Sequence, residues 1–266
     1  MHYYKARIQY DGTNLSGFQW QNGTPTVQSE FNQALSSFAR GRFSTLGASR
    51  TDTGVHALEQ MVKITSEDSL DDENFVVRFN QKLSPQIRCL SFAPCEGSFR
   101  PTHDSIHKEY RYYFTNTPRV EEADRRFIGN IANELDFELM KKATALYLGT
   151  HDFFNFCSMG SNVKTTIRTI DVCELTLINP QTDFPKSDLF NIPPELATCY
   201  EFRIVASGFL KQMIRHMVRG IWLVGSQRIT FEDFERFLLG PKLENRMWRP
   251  ASANGLFLYS IKFPED

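Results

Sequence analysis

The sequence carries almost no net charge and lacks the motifs of several common enzyme classes. Its 30 basic and 31 acidic residues leave a formal net charge of −1, whereas nucleic-acid-binding proteins are often basic overall. This balance weighs mildly against a nucleic-acid binder but permits one, because a local basic groove is sufficient. The chain has no phosphate-binding loop, no dinucleotide-binding glycine motif and no nucleophile-elbow serine motif. The sequence therefore predicts no nucleotide cofactor.

Metal-binding, disulfide and membrane signals are also scarce. No two cysteines have the C-x-x-C spacing, and the histidines lack the spacing of metal ligands. The N-terminus, Met1–Lys5, has no apolar signal region, and no run is long and apolar enough to span a membrane. We therefore expect a cytoplasmic protein without a metal, whose thiols are reduced and mostly buried. The thiols are those of Cys89, Cys95, Cys157, Cys173 and Cys199.

Apolar periodicity places the secondary structure along the chain. Alternating patterns predict strands and patterns with a period near 3.6 predict helices. Thr26 is the expected N-cap of the first helix and Gly41 its stop. Strands are predicted at 4–10, 43–47, 55–65, 87–92, 109–115, 166–178, 198–207 and 256–262, and further helices at 75–83, 136–148, 211–224 and 231–239.

This order of elements predicts the fold class. Strands and helices alternate, yet several neighbouring strands lack a helix between them, which is typical of an α+β fold with a largely antiparallel central sheet flanked by helices. The second half restates the element order of the first, so we expect two similar lobes, 1–105 and 106–266, with a cleft between them. The 23 phenylalanines predict an aromatic-rich core. The stretch 179–194, rich in Pro, Asp and Asn, is interpreted as an exposed loop insertion.

A carboxylate in a tight loop is the first candidate for chemistry. Asp52 lies between two predicted strands, with Arg50 two residues before it and Gly54 two residues after it. A nearby guanidinium can steer a phosphate or keep the carboxylate ionised. The alternative is an aspartate that caps its own turn, which is the commoner role of such residues.

Two further segments are candidates for RNA contact. Tyr110, Tyr112 and Phe114 share one face of a predicted strand, where aromatic rings either stack on unpaired bases or pack on a helix. In the helix predicted at 211–224, the basic residues Lys211, Arg215 and Arg219 follow at a spacing of four, with no carboxylate between Ser207 and Thr230. Such a stripe suits phosphate contacts, although a solvated face is an equally common role.

The loop around Asp52 carries a resemblance to a known family. The residues from Ser49 to Ala57 closely resemble the G-R-T-D-x-G-V-H-A signature of pseudouridine synthases of the tRNA pseudouridine synthase A family. Weaker matches follow in the family's order and cover nearly the whole chain. They are Tyr10-Asp11-Gly12, Gly17-Phe18-Gln19, Val27-Gln28, Tyr110-Arg111-Tyr112, the helix residues Phe209, Met213, Arg215, Met217 and Val218, and Gly255-Leu256-Phe257-Leu258.

Several positions depart from the family pattern. Ser49, Thr53 and Phe18 replace the usual Gly, Ala and Trp, and none of these changes removes the acidic residue. In the family an arginine often follows an F-x-x pattern, and Thr102 occupies that position here. Lys211-Gln212 replace a pair that usually contains histidine. These last departures bear on RNA contact and on the choice of target uridines.

The resemblance implies a cofactor-free isomerase that acts on tRNA. It assigns the nucleophile to Asp52 and the cationic partner of that carboxylate to Arg215. It places Arg50 in the space left by the flipped base, Tyr110 on the flipped uracil and Leu256 on the other side of the base. Charge and location, more than motif, suggest tRNA backbone contacts for Lys211, Arg219, Lys164 and Arg168.

The resemblance also implies a homodimer and target uridines at positions 38 to 40, in the anticodon stem-loop. A synthase acting on other RNA uridines is the first alternative. A non-catalytic RNA-binding module is the second, but it would not need Arg50 and Asp52 together. A purely structural α+β protein is the third, and it leaves the carboxylate-free basic helix unexplained.

Overall fold

A computed structural model describes residues 1–118, 120–121, 124–158, 163–190, 199–243 and 248–264. The strands are β1 (His2–Tyr10), β2 (Phe43–Gly47), β3 (His56–Ser66), β4 (Ile87–Pro94), β5 (His107–Thr115), β6 (Gly129–Asn130), β7 (Gly149–Asp152), β8 (Ile167–Ile178), β9 (Cys199–Ala206) and β10 (Leu256–Lys262). The helices are α1 (Val27–Leu35), α2 (Phe75–Asn80), α3 (Phe137–Ala145), α4 (Pro180–Asp183), α5 (Met213–Gly225) and α6 (Phe231–Leu239), with 3-10 turns at Asp124–Arg126 and Phe153–Phe156.

The chain divides into two compact units. Unit 1 is Met1–Ile106, Ser187–Phe190 and Phe257–Asp266, and unit 2 is His107–Lys186 and Asn191–Leu256. The sequence-based division assigned the closing strand to the C-terminal lobe, whereas residues 257–266 lie in unit 1, because β10 pairs with β3 there. The cleft expected between two lobes stays a prediction.

Unit 1 is built on a sheet in which β1 is central between β4 and β3. Both neighbours run antiparallel to β1. β2 pairs antiparallel with the C-terminal half of β3, and β10 pairs parallel with its start at His56 and Ala57. The helix α1 begins at its predicted cap, where the Thr26 side chain accepts the backbone N–H of Ser29. It ends at Leu35, earlier than the predicted stop at Gly41.

Unit 2 contains the antiparallel strand order β5-β9-β8-β7, and β6 pairs parallel with β5. The helices α3, α5 and α6 contact one another, and α3 also contacts β8. At Gly225, a β-carbon would overlap the Met140 side chain, so the glycine permits the close approach of α5 and α3. The largely antiparallel pairing in both units confirms the predicted α+β class.

The core is aromatic, as the phenylalanine count predicts. The largest fully buried side chains are all tyrosines and phenylalanines. The five cysteines are free thiols, and four of them are buried, as expected for reduced thiols. Within the described ranges, no helix is both long enough and apolar enough to cross a bilayer.

The predicted loop insertion at 179–194 is only partly exposed. Residues 191–194 lie outside the described residues. Within the remainder, Phe184 and Phe190 are each 2 % exposed. Phe184 packs on Tyr113 in unit 2, and Phe190 packs on His56 and Phe257 in unit 1. The interpretation as an exposed loop is therefore wrong for Phe184 and Phe190, whose apolar rings anchor the segment.

Candidate active site

The loop that carries Asp52 connects β2 to β3 and is tied to β3 at its first residues. The backbone N–H of Ala48 donates to the Met61 carbonyl, at 2.9 Å. The fully buried Gln60 side chain accepts from the Ser49 N–H at 3.1 Å and donates to the Ser49 carbonyl at 2.8 Å. A buried amide can satisfy both backbone groups of one residue, as a neighbouring strand would. Gln60 therefore fixes the entry to the loop.

The middle of the loop is held by the segment that follows β1. The Tyr10 hydroxyl forms a buried 2.7 Å hydrogen bond with the Thr51 hydroxyl. The Phe18 N–H donates to the Thr51 carbonyl at 3.1 Å. Gly17 has a φ of +89°, and a β-carbon there would lie 2.8 Å from the Thr51 carbonyl oxygen, so the close approach requires glycine. The residues that match the family's opening motifs thus form the support for the Asp52 loop.

The loop ends in a tight turn at Asp52. The Val55 N–H donates to the Asp52 carbonyl at 3.1 Å, and Gly54 takes the positive φ of +80° that the turn requires. The Asp52 side chain is half-buried, whereas Arg50 and Thr53 are exposed. A partly buried carboxylate two residues after an exposed arginine is an arrangement that can receive a polar, negatively charged substrate.

A buried ionisable pair lies beneath the end of the turn. Asp11 Oδ1 lies 3.2 Å from His56 Nδ1, and both side chains are buried. Gly12 N also lies 3.1 Å from His56 Nδ1, so two groups of this segment contact the ring nitrogen. Burial raises the pKa of Asp11, but hydrogen bonds from His56 and Thr13 outweigh it and hold that pKa well below its usual range. Phe257 stacks on the His56 ring at 4.7 Å.

In unit 2, the aromatic strand β5 packs mostly into the core. Tyr112 contacts Trp222 of α5 edge-on, and Phe114 stacks on Tyr200 at 4.8 Å and also contacts Trp222. For these two rings, packing on a helix is the role that the structure supports. Tyr110 lies nearer the start of the strand, is 6 % exposed and meets Phe209 edge-on at 5.3 Å. Of the three aromatics on this face, Tyr110 is therefore the one left as a candidate for base stacking.

The helix α5 presents Arg215 and Arg219 but not Lys211. It begins at Met213, and Gln212 has a left-handed φ of 58°, so Lys211 lies before the helix and the predicted spacing of four does not align it with the other two. The half-buried Arg215 donates through Nε to the Ala251 carbonyl at 2.7 Å. Burial lowers the pKa of Arg219, with a further contribution from Arg228. The predicted three-residue basic stripe is wrong for Lys211.

The remaining predicted contacts lie on the surface or at strand ends. Lys164 is exposed, and Arg168 Nη1 donates to the carbonyls of Thr165 and Ile167 at 3.0 and 2.6 Å. Leu256 is 5 % exposed at the start of β10. Thr102, at the position of a family arginine, is exposed and donates its hydroxyl to the Gly47 carbonyl at 3.2 Å.

The predicted site residues fall in both units. Asp52 and Arg50 lie in unit 1, and the others lie in unit 2: Tyr110, Lys164, Arg168, Lys211, Arg215, Arg219 and Leu256. Their convergence on one substrate stays a prediction. Among the described side chains, no group of three or more His, Cys, Asp or Glu residues could hold a metal ion.

Comparison with known proteins identifies the family. A family model described as tRNA pseudouridine synthase matches residues 143–264. A tRNA pseudouridine synthase A from Acetivibrio thermocellus is 30% identical over 97% of this chain and 98% of its own length. One from Thermoanaerobacter sp. is 32% identical over 96% of each chain. The chain belongs to the tRNA pseudouridine synthase A family.

Membership extends over both units. A further relative, tRNA pseudouridine synthase A 2 from Desulfotalea psychrophila, is 31% identical and covers 100% of both chains. The matched family model begins at residue 143 and does not include the Asp52 loop. The similarity of that loop to the family is shown by the full-length relatives. The α+β architecture is the one expected of this family.

Sequence reasoning missed two parts of the support around Asp52. The role of Gln60 was missed because β3 contains several other polar residues, among which one glutamine gives no signal of burial. His56 was noted as part of the family motif, and its role as a fully buried side chain with partners in the Asp11 segment was not predicted.

Proposed function

We propose that this protein isomerises uridine to pseudouridine in tRNA, at positions 38 to 40 of the anticodon stem-loop, with Asp52 as the catalytic carboxylate. The proposal rests mainly on the Asp52 loop, which matches the family's motif. Hydrogen bonds from Gln60, Tyr10 and Phe18 hold this loop in place. A catalytic group needs such support because small displacements of the reacting atoms are costly in rate.

The reaction itself needs no redox cofactor. The bond between the ribose anomeric carbon and N1 of uracil breaks, the base turns over, and a bond forms between that carbon and C5. C5 loses its proton to a base, and N1 ends the reaction carrying a proton, so the atoms balance and no electrons leave the substrate.

Asp52 acts in the first step by one of two routes. It attacks the anomeric carbon as a nucleophile, or it takes a sugar proton and assists formation of a glycal. Both routes need the ionised carboxylate, which a nearby cation favours. Arg215 supplies that charge in our proposal. Its Nε bond to the Ala251 carbonyl orients the guanidinium, whose two remaining nitrogens form the fork that a carboxylate accepts.

The target uridine must leave its stack to reach the carboxylate, at a cost of a few kcal/mol. Arg50, exposed two residues before Asp52, fills the vacated space or grips the adjacent phosphate. Tyr110 stacks on the extruded uracil and accepts the C5 proton, and Leu256 covers the other side of the base. The low exposure of both side chains suits contacts that exclude water from the reacting base.

Contacts to the tRNA backbone come from Arg219, Lys211, Lys164 and Arg168. Of these, Lys164 and Lys211 are exposed, which supports a direct phosphate contact, whereas Arg168 already donates to two carbonyls of its own segment. The protein works in the cytoplasm as a homodimer. Light scattering of the purified chain tests the oligomeric state. Because phosphate contacts release counterions, tRNA binding should weaken steeply with salt. A flat salt dependence would count against these contacts.

Mapping pseudouridines in tRNA tests the activity and its target positions together. In cells lacking the gene, pseudouridine should disappear from positions 38 to 40 and remain elsewhere, and the purified protein should restore it. Loss at other positions would refute the target assignment but keep the activity. Unchanged tRNA, together with no activity of the purified protein, would refute the synthase proposal.

Replacing Arg215 tests the proposed charge partner. Arg215→Ala should lower kcat by about 10²–10³-fold, the usual effect of removing one charge-stabilising group, while tRNA binding changes little. Arg236→Ala, at an exposed arginine of α6, is the matched control. A wild-type kcat for Arg215→Ala would remove this residue from the mechanism.

A further inference from the structure

An exposed tryptophan lies on the segment that supports the Asp52 loop. The Trp20 side chain is 55% exposed, whereas Trp222 is 2% exposed. Trp20 has no ring partner among the described residues. Residues 12–29, which contain it, include no Asp, Glu, Lys, Arg or His. The Trp20 ring is therefore a large aromatic surface in contact with water, in a loop without charge, where it adds little to the core.

Hydrogen bonds hold the backbone from which the exposed Trp20 side chain projects. The Trp20 N–H donates to Gln28 Oε1 at 2.9 Å, and Gln19 Nε2 donates to the same oxygen at 3.0 Å. Gln28 is largely buried in α1, and its Nε2 donates to the Thr45 carbonyl of β2 at 2.9 Å. This chain of hydrogen bonds joins the Trp20 backbone to a helix and a strand of unit 1. The indole is thus presented from a fixed support.

The same segment brings Trp20 close to the catalytic loop. The Phe18 N–H bonds to the Thr51 carbonyl, and a β-carbon on Gly17 would lie 3.3 Å from the Asp52 carbonyl carbon. Trp20 is two residues beyond Phe18, and two steps of the chain span at most about 7 Å. The ring is therefore within a few nucleotides of any base bound at Asp52.

We propose that Trp20 is an RNA-binding residue that stacks on an unpaired nucleobase next to the target uridine. The proposal rests on the proposed function. Unpaired bases of RNA loops are recognised by aromatic stacking and by hydrogen bonds to their edges. Trp20 supplies the ring, and the neighbouring Gln19, Gln21 and Asn22, all exposed, supply amide donors and acceptors.

The surroundings of Trp20 favour RNA over a second copy of the chain. Stable protein interfaces bury about 1,000 Å² or more around an apolar centre. Here the residues on both sides of the ring are polar amides, and residues 21–25 are all exposed. Residues 12–29 themselves carry no acidic side chain that would repel phosphates.

Three substitutions separate stacking from apolar contact. Trp20→Ala should raise KM for tRNA by about 5- to 100-fold, as expected for loss of one stacked base, and leave kcat at saturation within about twofold. Trp20→Phe should recover most of the affinity because it keeps a π face, and Trp20→Leu should not. Val77→Ala removes an equally exposed apolar residue of α2 and serves as the control that should behave like wild type.

Fluorescence gives a readout that does not depend on turnover. The difference in emission between wild type and Trp20→Phe is the fluorescence of Trp20. Unmodified tRNA should quench this Trp20 fluorescence, since a stacked base quenches the indole it contacts. Unchanged KM in Trp20→Ala, full recovery by Trp20→Leu, or a quench that persists in Trp20→Phe would each overturn the proposal. A switch from dimer to monomer in Trp20→Ala, with wild-type tRNA affinity per subunit, would assign the ring to a protein interface and overturn it as well.

The two proposals fail in different ways. If the wild-type protein forms no pseudouridine, the synthase proposal fails whatever Trp20 does. If the wild type is active and the Trp20 variants match it in KM and quenching, only the stacking proposal fails. Because Trp20 is largely exposed, its variants should unfold at the wild-type temperature, which a thermal melt checks.

Discussion

The Asp52 loop and the helix α5 both carry residues assigned to catalysis, but they are held in place by different forces. The loop is fixed by directional hydrogen bonds from Gln60, Tyr10 and Phe18. The helix is held by an apolar face that includes Ile214, Met217, Val218 and Ile221. Hydrogen bonds require one partner at one distance, whereas apolar packing accepts other side chains of similar volume. The loop should therefore be far less tolerant of substitution than the helix.

The largest effect is expected from the buried pair beneath the loop. Asp11→Ala removes the carboxylate that accepts hydrogen bonds from His56 and Thr13. It should lower the free energy of unfolding by about 3–5 kcal/mol, because each hydrogen bond to a charged group contributes about 1.5–3 kcal/mol. Urea denaturation measures it. Asp71→Ala, at an exposed aspartate of the same unit, should change it by less than about 0.5 kcal/mol. Equal effects of the two variants would show that the pair does not support the loop.

The same pair predicts a pH dependence. The pKa of Asp11 lies below its unfolded value of about 3.9. Its contribution to stability is therefore fully present above that pH and is lost as the pH falls below it. In urea titrations, the stability difference between wild type and Asp11→Asn should be present at pH 5 and shrink as the pH falls below 4. A difference that grows on acidification would contradict the direction of this shift.

Gln60→Leu should have the next largest effect. The leucine has a similar volume but leaves the N–H and the carbonyl of Ser49 without their side-chain partners, at a cost of about 2–3 kcal/mol. We expect kcat to fall as well, because the entry to the Asp52 loop loses its fixed position. Gln60→Glu, which keeps an acceptor for the Ser49 N–H, should be milder in the urea assay at low pH.

Tyr10→Phe removes one hydroxyl from the middle of the loop. It leaves the Thr51 hydroxyl without its buried partner and should cost about 1–2 kcal/mol. Adding Thr51→Val should recover part of that loss, because both polar groups are then gone. A double-mutant cycle in urea measures the coupling, and additive effects would show that this bond contributes nothing.

The smallest effect is expected in α5. Met217→Leu conserves volume in an apolar contact and should cost less than about 1.5 kcal/mol, with kcat and KM unchanged. A loss of activity as large as that of Gln60→Leu would erase the distinction between the two regions.

Most of the fold was predictable because its elements are locally specified. The strand β1 alternates buried and less buried residues, and α1 combines a threonine cap with Val27, Phe31, Ala34 and Leu35 on one face. The short elements β6, β7 and α4 were missed, because two to four residues show no period. The start of α5 was misplaced because the left-handed Gln212 precedes it, and glutamine gives no signal for that conformation.

The site was predictable only in part. Family resemblance selected Asp52 and the motif residues around it, but the sequence alone leaves Asp52 an ordinary turn aspartate. The bond between Tyr10 and Thr51 joins positions 41 residues apart, and Gln60 acts through its side chain on the loop backbone. Such contacts depend on the folded sheet, so no local pattern shows them. The exposure of Trp20 is also a tertiary property, since tryptophan is usually buried for much of its surface.

The most direct test of the central claim is tritium release from 5-tritiated uridine in tRNA by Asp52→Ala, compared with wild type at equal tRNA occupancy. The account predicts that the variant folds, binds tRNA with wild-type affinity and releases no tritium. Because Asp52 is half-buried at the start of a turn closed by backbone groups, its side chain is not needed to close that turn. Tritium release by the variant at the wild-type rate would contradict the assignment of Asp52 as the catalytic carboxylate.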